Sequence, residues 1–189
     1  MSYYFAIVGT KDNPLFEHEF GTSKQGGDGV ARFAEPARHM NQFIVHSSLD
    51  IVEEVQWGSA GNMYLKVIDR FFNNYISCFL TPANVKFLLL HAPPDPAAAA
   101  ASGAAAGGMA GAASGTSGSG SSSSAAARHS TSVAANPTSP QTEEAIRQFF
   151  ADVYEVWVKT AMNPFYRVDM PVRSAVFRAR VAAAGRKYL

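Results

Sequence analysis

Cysteine is nearly absent from this sequence, and so is an excess of charge of either sign. The 189 residues include one cysteine, Cys78, which excludes a disulfide within the chain and is typical of reducing compartments such as the cytosol. The 16 Lys and Arg residues balance 15 Asp and Glu residues to a net charge of +1. This balance gives no reason to expect nucleic-acid binding.

Long hydrophobic runs are missing as well. The N-terminal stretch "MSYYFAIVGT" has no basic segment, and its apolar run is too short for a signal peptide. The alanine-rich region is interrupted by Gly, Ser and Pro, so no stretch predicts a transmembrane helix. We therefore expect any function at a membrane to be exercised from its surface.

Residues 93–140 lack most of what a folded core requires. Asp95 and Arg128 are the only Asp, Glu, Lys or Arg residues among them, and there is no Phe, Trp or Tyr. Such a segment cannot bury enough apolar surface to offset its chain entropy, so we predict a disordered insertion. Ser139 and Pro140 predict the N-cap and first position of a helix, although Ser-Pro is also a target of proline-directed kinases. We predict that residues 1–92 and 141–189 together form a single domain.

The remaining sequence predicts the element order β-β-α-β-β-β-α-α. The first strand is apolar on both faces, which is typical of a central strand that is covered above and below. Short links between strands predict antiparallel pairing. The fold class is therefore α+β, a five-stranded antiparallel sheet with the first helix on one face and the last two on the other. The predicted strands are 3–9, 15–20, 62–71, 75–81 and 85–91, and the predicted helices are about 35–56, 141–161 and 171–184.

The first predicted helix has two contrasting faces. At about 100° per residue, Asp50 lies roughly 120° from Ile44, and three further residues lie near Asp50: Phe43, His46 and Glu54. A large aromatic, a histidine and two carboxylates suit a surface that binds a partner. The alternative is a solvated acidic face, which the residues alone favour. The predicted core stripe is Met40, Ile44, Ser48, Ile51 and Val55, with Val52 at its margin.

The last two predicted helices are also amphipathic. Tyr154 widens the apolar surface of the first of them beyond what one sheet contact needs, so we predict that it contacts a partner. Gly185 is predicted as the C-cap of the final helix. Six basic residues and one acidic residue from position 167 onwards suit lipid headgroups or an acidic partner, or simply the helix dipole. The predicted inward residues are Ile146, Phe149, Phe150, Val153 and Trp157, then Phe177, Val181 and Ala184.

Two Asn-Pro pairs raise a separate question. "NPFY" at 163–166 matches the Asn-Pro-x-Tyr signal that adaptor proteins read on receptor tails, and "NPLF" at 13–16 nearly repeats it. Both pairs lie at predicted element boundaries, where Asn and Pro favour turns. We predict structural turns, with the aromatics Phe16, Phe165 and Tyr166 directed towards the core.

No motif of a catalytic, metal or cofactor site is evident. The Gly-rich stretch 21–36 lacks the Gly-x-x-x-x-Gly-Lys-Ser/Thr pattern of a phosphate-binding loop. His39 and His46 share a helix face without a third ligand, and Cys78 has no His at a diagnostic spacing. We therefore predict a protein that is not an enzyme and that needs no cofactor and no metal.

Eight strings of this sequence, in their order along the chain, carry a resemblance to a known family: "FAIVG", "DNPLFEHEF", "HMNQFIVHSSLDIVEE", "NMYLKVIDRFFNNYISCFL", "VKFLLLH", "FFADVYEVWVK", "MNPFY" and "VRSAVFRARV". Together they resemble the sedlin family, subunit 2 of the trafficking protein particle (TRAPP) tethering complexes. They span nearly all of the chain outside the insertion, in the family's order. The departures are the Gly-rich loop and the insertion.

The resemblance implies a longin-like fold and a non-catalytic role. It implies an adaptor that joins larger subunits to a core of small TRAPP subunits, in a complex that tethers vesicles and acts as exchange factor for a Rab GTPase. It further implies a cytoplasmic protein, held through the complex at endoplasmic reticulum and Golgi membranes. The family ties an aspartate of the first helix to the adaptor contact, and its match here is Asp50, which favours the partner surface. The alternatives are a paralogous sedlin-like subunit or a longin module that binds a GTPase or a membrane directly.

Overall fold

The computed structural model describes residues 1–22, 28–33, 35–59, 61–92 and 139–189. Two groups of strands flank one helical region, and two further helices follow, in the predicted order. The elements are β1 Ser2–Val8, β2 Pro14–Gly21, α1 Glu35–Ser47, α2 Leu49–Gly58, β3 Tyr64–Phe71, β4 Asn74–Leu80, β5 Lys86–Ala92, α3 Pro140–Ala161 and α4 Ala175–Tyr188.

The five strands form one sheet in the order β2-β1-β5-β4-β3, and every neighbouring pair is antiparallel. The central strand β1 is buried along its whole length, as its two apolar faces predict. Phe5 in β1 lies opposite His18 of β2 and Leu89 of β5. The two predicted strand groups, a hairpin and a meander, therefore meet where β1 pairs with β5.

The sheet carries a separate apolar core on each face. Tyr4 and Ala6 of β1 pack in the core that includes Val52 of α2, whereas Phe5 and Ile7 pack in the core of α3 and α4. Alternation of side chains along β1 produces this division, since successive residues point to opposite faces. The predicted α+β fold, with its helical layers on the predicted faces, is confirmed.

The first predicted helix is interrupted at Ser48, where α1 ends and α2 begins. The Oγ of Ser48 donates to the carbonyl of Val45 at 2.7 Å, and that of Ser47 donates to Ile44 at 2.8 Å. Serine hydroxyls that bond the preceding turn in this way bend helices. The axis nevertheless continues, because Ser48 N donates to Ile44 O and Val52 N donates to Ser48 O.

The predicted core stripe of this helical region is partly wrong. Met40 is exposed, whereas Val52, which we placed at the margin, is fully buried. Ile51 and Val55 are half-buried. Helices α1 and α2 face the sheet with a side slightly offset from the predicted core stripe. The residues one position after most of the predicted core residues are therefore buried. The buried residues are Asn41, Ile44, Val45, Ser48, Leu49 and Val52.

Helix α3 begins as the sequence predicts. Ser139 is the N-cap, its Oγ accepts a hydrogen bond from Thr142 N at 3.3 Å, and Pro140 occupies the first turn. The predicted inward stripe is buried throughout. Residues 93–138 of the predicted insertion lie outside the described residues, so its disorder stays a prediction.

Two predictions for α4 are wrong. The helix begins at Ala175 rather than near 171, because Val172 N donates to Leu15 O at 2.8 Å and holds the preceding segment against β2. Gly185 does not cap the helix but lies buried within it. A Cβ at this position would lie 2.5 Å from ring carbons of Phe20, so glycine permits the close approach of α4 to the sheet.

We expect the substitution Gly185→Ala to lower the free energy of unfolding by about 1–2 kcal/mol. Overpacking against the Phe20 ring costs about 1–3 kcal/mol, which outweighs the gain of up to about 1 kcal/mol in helix propensity. Urea denaturation measures the change. Gly58→Ala is the matched control, since a Cβ there meets nothing within 4 Å and should leave stability unchanged or raise it. An equally stable Gly185→Ala variant would contradict the close packing of α4.

Candidate partner-binding surface

The outer side of α1 and α2 presents the predicted partner residues together. Phe43 is 62% exposed, and His46, Asp50 and Glu54 are exposed as well. Because the backbone hydrogen bonds continue across Ser48, helical spacing keeps these residues on one side of both segments. The structure thus brings four of the five predicted partner residues onto one surface.

Trp57 belongs to the same surface, although it is not among the residues predicted from the sequence. It is 85% exposed and lies seven residues after Asp50, which itself lies seven residues after Phe43. Seven residues are nearly two helical turns, so the three side chains form a line with spacings of about 10 Å. Trp57 was missed because we ended the predicted helix at Gln56, whereas α2 continues to Gly58. The seven-residue spacing from Asp50 was the signal in the sequence that could have identified Trp57.

Polar contacts hold α1 against the edge strand β2. Gln42 Nε2 donates to both carboxylate oxygens of Glu17, at 3.1 and 3.0 Å. Arg38 makes a bidentate contact with the Glu19 carboxylate, in which Nη2 donates to Oε2 at 2.7 Å and Nε donates to Oε1 at 3.1 Å. Bidentate geometry of this kind fixes orientation as well as contributing energy. The helix that carries Phe43 and His46 is therefore held in place.

An open groove of about 380 Å³ runs between α1 and the start of β2. Its floor is apolar, and Phe43 and His46 lie along its rim. Burial and the neighbouring Glu17 carboxylate raise the pKa of the Tyr4 phenol, so a neutral phenol faces the groove. Apolar, aromatic-lined concavities of this size accept an apolar side chain from a partner. Its lining residues include Tyr4, Ala6, Val8, Pro14, Phe43, Val45 and His46.

An ion pair between a buried lysine and a partly exposed aspartate adjoins the groove. Asp12, one of the lining residues, accepts a hydrogen bond from Lys86 Nζ at 2.8 Å, and the Lys86 side chain is only 3% exposed. A lone buried ammonium would be costly, and the carboxylate in the β1–β2 turn offsets that cost. The pair therefore fixes the turn at this end of the groove.

Tyr154, the fifth predicted partner residue, lies apart from the other four. It is half-buried on α3, across the sheet, with its ring 5.6 Å from that of Phe79 and 6.4 Å from that of Phe87. A contact of Tyr154 with a partner stays a prediction, and it would concern a separate surface.

The Asn163-Pro164 pair follows the end of a helix, as predicted. Helix α3 stops at Ala161, and the Asn163 side chain accepts a hydrogen bond from Phe165 N at 3.0 Å in a tight turn. Tyr166 packs on Trp157 at 5.7 Å between ring centres, whereas Phe165 is 86% exposed. The predicted inward direction of Phe165 is therefore wrong, since the turn points successive side chains to opposite sides.

The described residues contain no group of three or more His, Cys, Asp or Glu side chains placed to hold a metal ion. In the same ranges, no helix has the length and apolarity needed to cross a membrane.

Comparisons with known proteins agree on one family. The family model described as Sedlin matches residues 7–187. The chain is 34% identical over 189 residues to the "Transport protein particle 20 kDa subunit" of Schizosaccharomyces pombe, with all of both chains covered. It is 31% identical to the "Probable trafficking protein particle complex subunit 2" of Drosophila melanogaster, covering 100% of this chain and 97% of that one. It is 30% identical to the "Trafficking protein particle complex subunit 20" of Saccharomyces cerevisiae, covering 100% and 99%. With a matching family model and relatives aligned along at least 97% of their length, the chain belongs to the sedlin family.

Proposed function

We propose that this protein is a non-catalytic adaptor subunit of a TRAPP complex, which joins larger subunits to the core of small subunits. The relatives named as subunits of a trafficking or transport protein particle support membership of such a complex. In this role the protein would act in endoplasmic reticulum to Golgi and Golgi traffic, as part of a vesicle tether and Rab exchange factor. It would be cytoplasmic and would reach the membrane through the complex.

The observation that carries the adaptor role is the line of Phe43, Asp50 and Trp57 beside an apolar groove. Exposed aromatics are enriched among the residues that dominate protein interfaces, and a nearby concavity supplies a pocket for a side chain of the partner. No ion pair of Asp50, Glu53 or Glu54 is found among the described residues. These carboxylates are therefore available to pair with basic residues of a partner.

We expect Asp50→Tyr to weaken capture of the larger subunits by about tenfold or more while leaving the fold intact. The substitution removes a charge and places a bulky ring between Phe43 and Trp57, where it would obstruct a complementary surface. Asp50 is exposed, so its replacement should change stability little. The measurement is the amount of each larger subunit that copurifies with tagged protein from cells.

The matched control is Glu155→Tyr, the same kind of change at an exposed helical carboxylate of α3, across the sheet. It should capture the larger subunits as the parent protein does. Normal capture by Asp50→Tyr, with both variants folded by circular dichroism, would refute the assignment of this surface.

A further inference from the structure

The loop between α3 and α4, residues 162–174, exposes apolar side chains that the adaptor role does not use. Phe165 is 86% and Val168 80% exposed, and Met162 and Met170 also face outwards. Phe165 and Met170 line an open groove together with Arg173. Scattered exposed apolar residues are ordinary on protein surfaces, but several on one short loop mark an interaction site.

The loop is anchored to the β1–β2 turn rather than left free to fold its apolar side chains inwards. The Asp169 carboxylate accepts hydrogen bonds from Thr10 N at 2.8 Å and from Thr10 Oγ1 at 2.7 Å. Asn13 Nδ2 donates to Asp169 O at 3.1 Å, and Val172 N donates to Leu15 O. Because its backbone is fixed at these points, the loop presents Phe165 and Val168 without a further ordering cost.

Cationic side chains flank the apolar ones. Arg167 and Arg173 are exposed within the loop, and Lys11 is exposed in the turn to which the loop is anchored. The one acidic residue of the loop, Asp169, is engaged with Thr10, and these hydrogen bonds lower the pKa of its carboxyl. The exposed apolar side chains therefore have exposed cations near them, and Arg167, Arg173 and Lys11 outnumber the single Asp169 carboxylate.

We propose that the α3–α4 loop binds the surface of an anionic lipid bilayer, with Phe165 and Val168 inserted below the headgroups and Arg167 and Arg173 against the phosphates. Highly exposed apolar side chains on an anchored turn reach into a bilayer, and the exposed cations beside them match its anionic headgroups. Cations near the surface are drawn to anionic lipids, and an apolar group with basic neighbours gives reversible attachment. This role is independent of the adaptor surface on α1 and α2.

The test measures binding of the full chain to sedimented vesicles of phosphatidylcholine with and without phosphatidylserine. We expect binding to rise with phosphatidylserine content and to fall with added salt. The double variant Phe165→Ser and Val168→Ser should lose about tenfold or more of this binding. The double variant Arg167→Gln and Arg173→Gln should lose the dependence on phosphatidylserine. Soluble glycerophosphoserine should not displace the protein, since it lacks the acyl region that the apolar side chains enter.

Phe72→Ser is the matched control, because Phe72 is an equally exposed aromatic in the β3–β4 turn, outside the loop. It should bind vesicles as the parent does, and so should Asp50→Tyr, which separates this proposal from the adaptor role. A second measurement uses a spin label at Val168→Cys, where the buried Cys78 should stay unlabelled. Its exposure to oxygen should increase on vesicles, unlike that of a label at Phe72→Cys. Unchanged binding by the Phe165 and Val168 double variant, or failure of the parent to bind anionic vesicles, would overturn the proposal.

Discussion

Phe150→Ala should lower the free energy of unfolding by about 3–5 kcal/mol. Phe150 has no exposed surface, and its ring centre lies 5.8 Å from that of Phe79 and 6.0 Å from that of Tyr64. Truncation removes these contacts and opens a cavity between α3 and the sheet that rigid neighbours fill only in part. Urea denaturation, followed by far-UV circular dichroism, measures the loss as a shift of the midpoint at an unchanged slope.

Phe72→Ala is the matched control for that loss. Phe72 is 82% exposed, so the same deletion of a ring should change stability by no more than about 0.5 kcal/mol. The comparison separates burial from the chemistry of the substitution. A loss below about 1 kcal/mol at Phe150 would mean that α3 does not pack on the sheet as described.

The second large effect concerns pH. His91 in β5 is 1% exposed, its ring lies 4.7 Å from that of Tyr3, and neither ring nitrogen has a hydrogen-bond partner among the described residues. Burial, and secondly the positive Met1 amino group, lower the pKa of His91 from 6.5 to about 4. Protonation is thus harder in the folded state than in the unfolded state.

The lowered pKa of His91 makes the folded state less stable as the pH falls. Above pH 6.5 His91 is neutral in both states and the full stability is present. As the pH falls from 6.5 towards 4, the unfolded chain takes up the proton first, and stability is lost by about 3 kcal/mol in total. Urea denaturation at a series of pH values between 7 and about 4 measures this loss.

His91→Phe should flatten that dependence, since Phe keeps a ring against Tyr3 and cannot be protonated. The difference between variant and parent isolates His91 from other groups that titrate in the same range. One of these is His18, whose pKa is also lowered, by burial first and then by Arg178. Identical profiles for the parent and the variant would show that His91 is not the group responsible.

Alternation and turn residues were enough to predict the sheet. The two apolar faces of β1 predicted its central place, and the Ser139-Pro140 pair predicted the start of α3. These signals are local, because side-chain direction in a strand and caps at a helix end depend on neighbouring residues.

Features that depend on how elements pack were missed. Glycine is common at the ends of helices, which is why Gly185 was predicted to be a C-cap. Its actual role is set by the close approach of Phe20, which belongs to another element. Phe165 has the apolar character of a core residue, yet the turn after α3 directs it outwards. The groove beside Phe43 needs β1, β2 and α1 in their final arrangement, so no pattern within one element could reveal it.

The turn between β1 and β2 lies between the two proposed contact surfaces. Asp12 lines the groove beside α1, while its neighbours Thr10 and Asn13 hold the α3–α4 loop through Asp169. Both surfaces thus lie at the same end of the sheet, on opposite sides of it. A protein docked on Phe43 would consequently be held next to the bilayer instead of being projected from it. In that arrangement this small subunit would set the height and tilt at which its larger partner stands above the membrane.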